Sequence, residues 1–551
     1  MSRPSTDKEL PSSSFLEKAT PNLDAETLDI GQRIQRLADE CPPFYQSRNL
    51  LILYLLMIPG CMIPAITLGF DGAMMNGLQA VPSWDTCELP LPFLISLSVV
   101  AAETDSLSGS DFDKPRGSLL GIMSAILPLG CVLTTPFIPM VGDRWGRRAG
   151  IFVGSVIMAV GGIIQGTSVH IAMFMISRFI IGIGIVFANT FAPMLIGELA
   201  HPKERQVVTS LYQTSWYIGA IIAAWTTFGT FTIPNNWSWR IPSLLQAAPA
   251  FCQIIGVFFL PESPRWLVAK GRVEEAKAVL VKYHGNDDTS SEFVSLEFEQ
   301  MREVIEAEVN NETGWMAFLA TPGNRKRLLI IISLGVFSQW SGNGLVSYYL
   351  VRVLETVGIT ETRPKNIING CLMIFNWITS VISAFLTARI KRRTQFLVSG
   401  FGMLTVFAVQ TLCAALFNDY GNAAAGHVVI AMLFLFYLFF NLAFNALLYS
   451  YPVEVLPYPI RAKGFSLLMF FGKASNFINI LVNPIGLQAI GWKLYLVYVA
   501  WLCIEVAVIW KFFVETKGPS LEAIAVLFDG EPENVSNENK EHAEKKDDKK
   551  A

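Results

Sequence analysis

The chain has 551 residues, of which 52% are hydrophobic and 16% charged, and its formal net charge is −3. Soluble domains carry roughly 25% charged residues, so this composition indicates that much of the surface does not face water. The balanced charge, with no basic stripe, argues against a nucleic-acid partner. The sequence therefore predicts an integral membrane protein.

Apolar runs long enough to cross a bilayer follow a polar N-terminal tail, residues 1–49. A crossing helix needs about 20 predominantly apolar residues. The tail lacks the charged-then-apolar pattern of a cleavable signal peptide, so the first apolar run is expected to direct insertion. Six runs make up a first half, residues 50–260. We predict these crossings at 50–72, 117–140, 150–168, 171–197, 207–229 and 240–260.

A polar central segment, residues 261–326, separates the first half from a second half, residues 327–514. Its stretches 272–283 and 294–309 are amphipathic, which indicates short helices lying under the membrane. The C-terminal tail, residues 515–551, ends in alternating acidic and basic residues and is predicted to be disordered there. The crossings of the second half are predicted at 327–350, 366–388, 395–416, 425–452, 464–484 and 494–514.

The sequence thus predicts an all-α membrane protein with twelve transmembrane helices in two six-helix halves. Loops rich in Lys and Arg stay in the cytoplasm, and such residues follow the even-numbered crossings, as at 142–148. The intervening loops 230–239, 418–424 and 485–491 contain no Lys or Arg. Both termini are therefore predicted to be cytoplasmic. The segment 87–110 has an apolar run too short to cross, and the sequence leaves open whether it is an inserted external loop or sequence retained through a mispredicted splice.

Three charged residues are identified inside the predicted crossings, where a charge is costly and therefore a candidate for function. Asp71 lies in the first crossing, Arg178 in the fourth and Lys473 in the eleventh. We expect Asp71 and Arg178 to pair, because a carboxylate beside an arginine can gain and lose a proton as its access to water changes. This suits proton coupling, and the alternative is a permanent structural ion pair. Lys473 is expected either to line a cavity or to extend towards an interface.

Amide and aromatic side chains recur in the same apolar crossings and are the candidate ligands of a hydroxyl-rich substrate. In the seventh crossing, Gln339 and Asn343 are spaced i and i+4, which places them on one helical face. Trp340 offers an apolar ring, and nearby glycines allow the helix to bend or break. The alternative for each amide is hydrogen bonding between helices. The predicted substrate ligands are Gln213, Gln339, Trp340, Asn343, Tyr348, Asn376, Asn445, Tyr449 and Asn476.

The sequence offers no chemistry typical of an enzyme. It contains no nucleophile–base arrangement and no glycine-rich phosphate loop. Its eight cysteines are dispersed without metal-ligand spacing, so neither a disulfide framework nor a metal site is predicted. We therefore predict that the chain is not an enzyme and carries no metal and no cofactor.

Four short motifs occur at the cytoplasmic ends of the predicted crossings. Residues 142–148 read GDRWGRR, 261–267 read PESPRWL, 454–464 contain EVLP and RAKG, and 515–518 read ETKG. With these motifs in this order, the chain resembles the sugar porter family of major facilitator transporters over nearly its whole length. The counterpart of the first motif in the second half is reduced to RIKRR at 389–393.

The resemblance implies the major facilitator fold, a monomer, and a sugar site at the midplane between the two halves. Asp71 and Arg178 fall where proton-coupled members carry their Asp and Arg, and Tyr348 lies near the family's external gate. The resemblance also implies a cytoplasmic charge network that closes the inner side in the outward-facing state. The corresponding positions are Asp143, Arg147, Glu198, Arg205, Glu262, Arg392, Glu454 and Arg461.

The segment 339–344, QWSGNG, resembles the fungal lactose permease and cellodextrin transporter branch. This implies a substrate that is a disaccharide of lactose or cellobiose type, or a hexose. The expected function is proton-coupled sugar import across the plasma membrane by alternating access, with the sugar, the proton and the lipid bilayer as partners. Two alternatives stay open, namely a passive sugar facilitator and a transporter-like sugar sensor with little transport.

Overall fold

The computed structural model describes residues 30–79, 117–233, 235–310, 315–355, 358–359, 361–387, 389–456, 458–517 and residue 528. These residues form helices and short connections, and no β-strand occurs among them. The segment 87–110 and most of both tails lie outside the described residues, so the two alternatives for this segment stay open and the C-terminal disorder stays a prediction. Within the described part, the predicted all-α fold is confirmed.

The first predicted crossing is built from two helices joined by a π-helical turn at Ile58–Met62. Pro59 lies in this turn, and a proline inside a helix removes one backbone hydrogen bond and displaces the preceding turn. The sixth crossing is likewise divided, at Gln246. The helices of this first part are α1 (Ile30–Glu40), α2 (Arg48–Met57), α3 (Ile63–Leu78), α4 (Gly117–Thr134), α5 (Ile138–Gly166), α6 (Ile171–Leu199), α7 (Arg205–Thr230), α8 (Trp237–Leu245) and α9 (Ala247–Gly256).

The central segment and the second part continue the chain with shorter and then longer helices. The central helices are α10 (Pro264–Ala269), α11 (Val273–Tyr283), α12 (Glu292–Asn310) and α13 (Ala317–Ala320). The helices that follow are α14 (Pro322–Trp340), α15 (Asn343–Glu355), α16 (Thr362–Thr387), α17 (Arg392–Tyr420), α18 (Ala423–Phe440), α19 (Ser450–Val455), α20 (Tyr458–Ile490) and α21 (Leu494–Phe512). A second π-helical turn, Asn441–Asn445, follows α18.

Nine stretches of the described part are long and apolar enough to cross a membrane. Two of them, Ser118–Gly166 and Lys463–Phe512, contain 49 and 50 residues, enough for two crossings each. Each is interrupted near its middle by a glycine with positive φ, Gly146 in the first and Gly491 in the second. Helix α7, with 26 residues, is richer in polar side chains and adds one more crossing. The described helices therefore provide the twelve crossings that the sequence predicts.

Helix packing connects the two predicted halves mainly through three pairs of helices. In the first half α5 packs against α6 and α3 against α7, and in the second half α14 packs against α20 and α17 against α18 and α21. Between the halves, α4 packs against α20, α7 against α16, and α3 against α15. One apolar cluster extends from α3 and α4 to α21 across these contacts. Helices of both halves therefore meet around a common centre.

The central helices form a small bundle with α1. Ile34 of α1 packs into an apolar cluster with Leu280 of α11 and Phe293 of α12. The bundle is tied to the end of α6 by His284, whose ring nitrogens lie 2.7 Å from Glu297 Oε2 and 3.1 Å from the Leu199 carbonyl oxygen. The predicted amphipathic helices therefore bury their apolar faces against each other and against α1.

The charges of this bundle set its response to pH. Burial alone lowers the pKa of His284, but the carboxylate of Glu297 outweighs burial, and the pKa is raised. Burial raises the pKa of Glu297, but the neighbouring His284 and Arg205 outweigh it, and that pKa is lowered. Burial and the nearby His284 lower the pKa of His201 to about 4, so His201 is neutral beside the charged pair.

We predict that this pair stabilises the protein at mildly acidic pH. Because the pKa of His284 is raised on folding, its contribution is complete below the unfolded value of about 6.5 and is lost as pH rises through the folded value. Thermal unfolding of purified protein should therefore show a falling Tm between pH 6 and pH 8.5. The variant Glu297→Gln should lower the Tm at pH 6 by several degrees and remove this part of the pH dependence. Glu299→Gln is the control, and an unchanged pH profile in Glu297→Gln would contradict the prediction.

Candidate functional site

The two charged residues predicted to pair do so in the interior of the first half. Arg178 of α6 donates from both terminal nitrogens to the two carboxylate oxygens of Asp71 of α3, each at 3.1 Å. Gln246, between α8 and α9, donates to the same carboxylate at 3.1 Å. The side chains of Asp71 and Arg178 are 3% and 1% exposed. Bidentate geometry and the third donor offset the cost of burying two charges.

A cavity lies beside this pair, between α3, α6 and α7 on one side and α14, α15, α18 and α20 on the other. About 190 Å³ of it is accessible to the centres of water molecules. Seven of the nine predicted substrate ligands line it: Gln213, Gln339, Asn343, Tyr348, Asn445, Tyr449 and Asn476. The wall thus combines amides and phenols with the apolar faces of aromatic rings, which suits a ligand with hydroxyl groups on a carbon ring.

Hydrogen bonds hold several of these amides in place. Asn476 Nδ2 donates to Gln339 Oε1 at 2.9 Å, and Gln339 Nε2 donates to Ser338 Oγ at 3.2 Å. Asn343 Nδ2 donates to the Ser338 carbonyl oxygen at 3.0 Å, and its own Oδ1 has no hydrogen-bond partner among the described residues. After α18, on the same side of the cavity, Asn445 Nδ2 donates to the Ser380 hydroxyl at 2.7 Å. The amides are therefore oriented before a ligand arrives.

The seventh crossing reaches the cavity through a helix break rather than through one continuous face. Helix α14 ends at Trp340 and α15 begins at Asn343, with Gly342 at φ 108° between them. A Cβ at Gly342 would lie 2.5 Å from Phe407 Cζ, so only glycine fits this turn. The i and i+4 argument for Gln339 and Asn343 is therefore wrong, although both side chains do line the cavity.

Two predicted ligands, Trp340 and Asn376, lie outside the cavity wall. Trp340 Nε1 donates to the Ser475 carbonyl oxygen at 3.0 Å, and its ring lies 5.8 Å from the ring of Trp501 on α21. Asn376 of α16 is fully buried, and its amide atoms have no hydrogen-bond partner among the described residues. Its carbonyl oxygen accepts from Asn441 Nδ2 at 3.3 Å. Trp340 therefore packs between helices of the second half, and Asn376 lies behind the π-helical turn.

Other residues of the site were not among the predicted ligands. Lys473, for which the sequence leaves two roles open, lines the cavity. So do Asn189 and the tyrosines Tyr217 and Tyr437, whose positions at the cavity depend on helix rotation that the sequence does not show. Glu505 of α21 was overlooked, although an acidic residue in an apolar window is a visible signal. It is fully buried, and both carboxylate oxygens lie 3.0 Å from the Ser341 hydroxyl at the helix break.

The cavity is closed on the predicted external side by contacts between α3 and α15. Asn76 Nδ2 donates to a carbonyl oxygen of α15, and Asn76 Oδ1 accepts from the Leu350 N–H at 3.0 Å. Gln79 Nε2 donates to the Tyr348 carbonyl oxygen at 2.9 Å. Backbone groups of α15 can take part because the helix is distorted at Tyr349, with φ −133° and ψ 24°. Tyr348 thus lies between this closure and the cavity.

On the predicted cytoplasmic side, the charge network forms one cluster in each half. Arg147 pairs with Glu198 at 3.2 Å, and Glu262 accepts the backbone N–H groups of Arg147 at 3.1 Å and Arg148 at 3.2 Å. Burial raises the pKa of Glu262, although these N–H groups oppose the effect. Gly146 permits the sharp turn with φ 88°, and a Cβ there would lie 2.6 Å from Glu262 Oε2.

The second half repeats this arrangement on its own residues. Arg392 pairs with Glu454 at 3.0 Å, and Glu515 accepts the backbone N–H groups of Arg392 at 2.8 Å and Arg393 at 3.1 Å. Each of these clusters stays within one half, as expected when the cavity is closed on the opposite side.

The other predicted members of the network lie elsewhere. Arg205 approaches Glu297 of the central bundle at 3.8 Å, and Asp143 accepts a hydrogen bond from Trp266 Nε1 at 3.1 Å through its backbone carbonyl. The side chain of Arg461 lies outside the part of the chain that the structure describes.

Comparison with known proteins identifies the family. Residues 57–528 match the family described as "Sugar (and other) transporter". The chain belongs to this family of sugar transporters. The MFS-type transporter criB of Aspergillus cristatus is 28% identical over 76% of this chain and 86% of its own length. The sugar transporter STL1 of Saccharomyces cerevisiae is 28% identical over 76% of this chain and 74% of its own length.

Solved structures support the same fold. The partially occluded inward-open xylose transporter XylE from E. coli superimposes with a TM-score of 0.68, at 19% identity, over 86% of this chain and 100% of that chain. The proton:xylose symporter XylE bound to 6-bromo-6-deoxy-D-glucose gives a TM-score of 0.68 at 20% identity. The predicted major facilitator fold is therefore confirmed. Relatives and solved structures are transporters, which also confirms that this sugar transporter is not an enzyme.

Replacement of the glycine at the first cytoplasmic cluster should disrupt it. Gly146→Ala forces a side chain into a positive φ and against Glu262, which we expect to destabilise the sugar transporter by about 1–3 kcal/mol. The Tm of purified protein and the initial rate of sugar uptake should both fall. Gly229→Ala is the matched control, because a Cβ at Gly229 of α7 meets nothing within 4 Å. A Gly146→Ala protein with unchanged Tm would show that the turn is not strained by a side chain.

Proposed function

We propose that this sugar transporter imports a disaccharide or a hexose together with a proton by alternating access. The observation that carries the proposal is the buried pair of Asp71 and Arg178 next to a cavity lined by amides. Helix α3 connects the two features, because a Cβ at Gly72 would lie 3.3 Å from Trp216 and 3.6 Å from Tyr348, both of which line the cavity. Asp71 precedes Gly72 in the chain, so a change in the charge of Asp71 can affect the substrate site through the adjoining residue.

Protonation of Asp71 is the proposed coupling step. A neutral carboxyl group removes the negative partner of Arg178, and an unpaired guanidinium in apolar surroundings is strongly unfavourable. The first half must then admit water to Arg178 or shift its helices. Release of the proton restores the bidentate pair, so the proton and the conformation of the first half depend on each other.

Alternating access requires the two halves to move relative to each other around the cavity. We propose residues 50–260 and 327–514 as the moving units, with residues 261–326 as the cytoplasmic connection. In the described conformation, Asn76 and Gln79 join the halves on the external side, and the Arg147 and Arg392 clusters stay separate. In the opposite conformation the external bonds would break, and charged helix ends of the two halves would approach each other.

The substrate class follows from the cavity wall and from the family. Amides that donate and accept hydrogen bonds suit sugar hydroxyl groups, and the rings of Trp216 and Tyr449 offer apolar faces. The resemblance of residues 339–344 to the lactose permease and cellodextrin transporter branch supports a disaccharide as well as a hexose. We propose a monomer in the plasma membrane with both termini in the cytoplasm, and no cofactor.

Uptake measurements test proton coupling directly. Cells that lack their own carriers would be supplied with labelled lactose, cellobiose and glucose, with and without a protonophore. We expect Asp71→Asn to reduce accumulation at least tenfold, because the coupling carboxylate is lost. Sugar exchange at equal concentrations should persist in this variant. Asp419→Asn, at an exposed position after the ninth crossing, is the matched control.

The same experiment separates the alternative functions. Uptake that is indifferent to both the protonophore and Asp71→Asn would identify a passive facilitator. A protein that reaches the cell surface and transports none of the sugars would indicate a sensor. No residue in the described part of the structure favours the sensor alternative.

Weakening the external closure should expose the cavity to the outside. In a Ser347→Cys background, the added Asn76→Ala removes hydrogen bonds to α15, which should favour the conformation open to the exterior. We expect an impermeant thiol reagent to modify Cys at this position several times faster than in the Ser347→Cys parent. Asn422→Ala, which removes only a helix cap on the same face, serves as the control. Equal rates in all three proteins would show that Asn76 does not hold the closure.

A further inference from the structure

One cation lies in the wall of the substrate cavity. Lys473 projects from α20 and is the single charged side chain among the described residues that line the cavity. No carboxylate of the described residues forms an ion pair with it. Two buried carboxylates of the described crossings have other partners, Asp71 with Arg178 and Glu505 with Ser341. Lys473 therefore faces the ligand space without a protein counterion.

The ammonium group of Lys473, which has no counterion, makes closure of the cavity depend on the charge of the ligand. While the cavity is open to water, the charge is hydrated. When the halves close around a ligand, that water is reduced, and a buried charge without a partner is costly. A neutral sugar supplies only hydroxyl dipoles, whereas an anionic ligand supplies a full negative charge. Lys473 would thus oppose occlusion of a neutral sugar and favour occlusion of an anion.

We propose that the preferred substrate is a sugar with one carboxylate group. This inference rests on the proposed function and specifies its substrate class as a hexonate, a hexuronate or a disaccharide acid. One cation in the wall matches one negative charge, so a singly charged carboxylate fits better than a doubly charged phosphate ester. The remaining wall stays suited to hydroxyl groups, because its other polar groups are neutral amides and hydroxyls.

Neighbouring groups orient such a ligand. Lys473 and Asn476 lie three residues apart on α20 and therefore on the same side of the helix. Asn476 is held by Gln339 at 2.9 Å. A carboxylate bound by Lys473 thus has its adjoining hydroxyl-bearing carbon next to the Asn476 and Gln339 amides. This places the acid end of the sugar against the second half of the protein.

The charge balance of transport follows from this substrate class. A proton and a monoanion that move together carry no net charge. A proton and a neutral sugar carry one positive charge, whose inward movement is driven by a membrane potential that is negative inside. Import of the acid is therefore expected to be insensitive to the membrane potential, and import of the neutral sugar to be driven by it.

The test uses purified full-length protein in proteoliposomes with an imposed pH gradient. The labelled substrates are two matched pairs, D-gluconate with D-glucose and lactobionate with lactose. We expect the acid of at least one pair to be transported with a kcat/KM at least tenfold above its neutral partner. Lys473→Met should remove this preference, and Lys473→Arg should retain it in part. Lys511→Met, at an exposed position of α21, should behave as the parent.

Two further measurements use the unmodified protein, so their results do not depend on whether a variant folds. A potassium diffusion potential set with valinomycin should change acid uptake less than twofold. The acid should also raise the Tm of the unmodified protein more than the neutral partner does at equal concentration. Transport of the neutral sugars with exclusion of both acids, or an equal acid preference in Lys473→Met, would overturn the inference while leaving the proposed function intact. Failure to transport or bind any of the four compounds would overturn both.

Discussion

The ion pair of Asp71 and Arg178 is the interaction on which the arrangement of the first half depends. Two opposite charges in an apolar bundle are tolerated only when they meet in good geometry, and here each terminal guanidinium nitrogen donates to one of the two carboxylate oxygens. The pair fixes the rotation of α3 relative to α6, and Gln246 adds the sixth crossing to the same contact. The rotation of α3 in turn directs Asn76 towards α15 and brings Gly72 to the cavity. The pairing of these two charges thus orients both the contacts that close the cavity and one wall of the site.

The sequence allowed this pair to be predicted because few charged residues occur in the apolar segments, and a buried charge requires an opposite charge as its partner. Seven of the nine predicted substrate ligands line the cavity, because polar side chains are few in the apolar helices and the sequence shows where they occur. Trp340 was predicted to line the cavity but does not. The break at Gly342 changes the direction between α14 and α15, so residues on either side of the break do not share a face as they would on one continuous helix. Asn376 was misplaced because helix rotation depends on packing with the π-helical turn, which no local pattern reveals. Glu505 was missed, although an acidic residue inside an apolar segment can be recognised from the sequence.

The Arg147 and Arg392 clusters show an equivalence between the halves that the sequence conceals. Arg147, Glu198 and Glu262 correspond in their contacts to Arg392, Glu454 and Glu515. The first motif is complete at 142–148, whereas its counterpart at 389–393 retains little beyond its basic residues. The arrangement persists because Glu262 and Glu515 accept backbone N–H groups, and these are present whatever side chains the loop carries. Structure therefore preserves a repeat that sequence patterns have largely lost.

The closure between α3 and α15 differs in kind from the clusters at the other side. Asn76 and Gln79 are uncharged, and their partners are backbone groups, so no ion pair contributes to their bonds. Hydrogen bonds between neutral groups are little affected by ionic strength, whereas exposed charges are screened by salt. The contacts that close the cavity at this end are therefore expected to keep their strength in dilute and in saline surroundings alike.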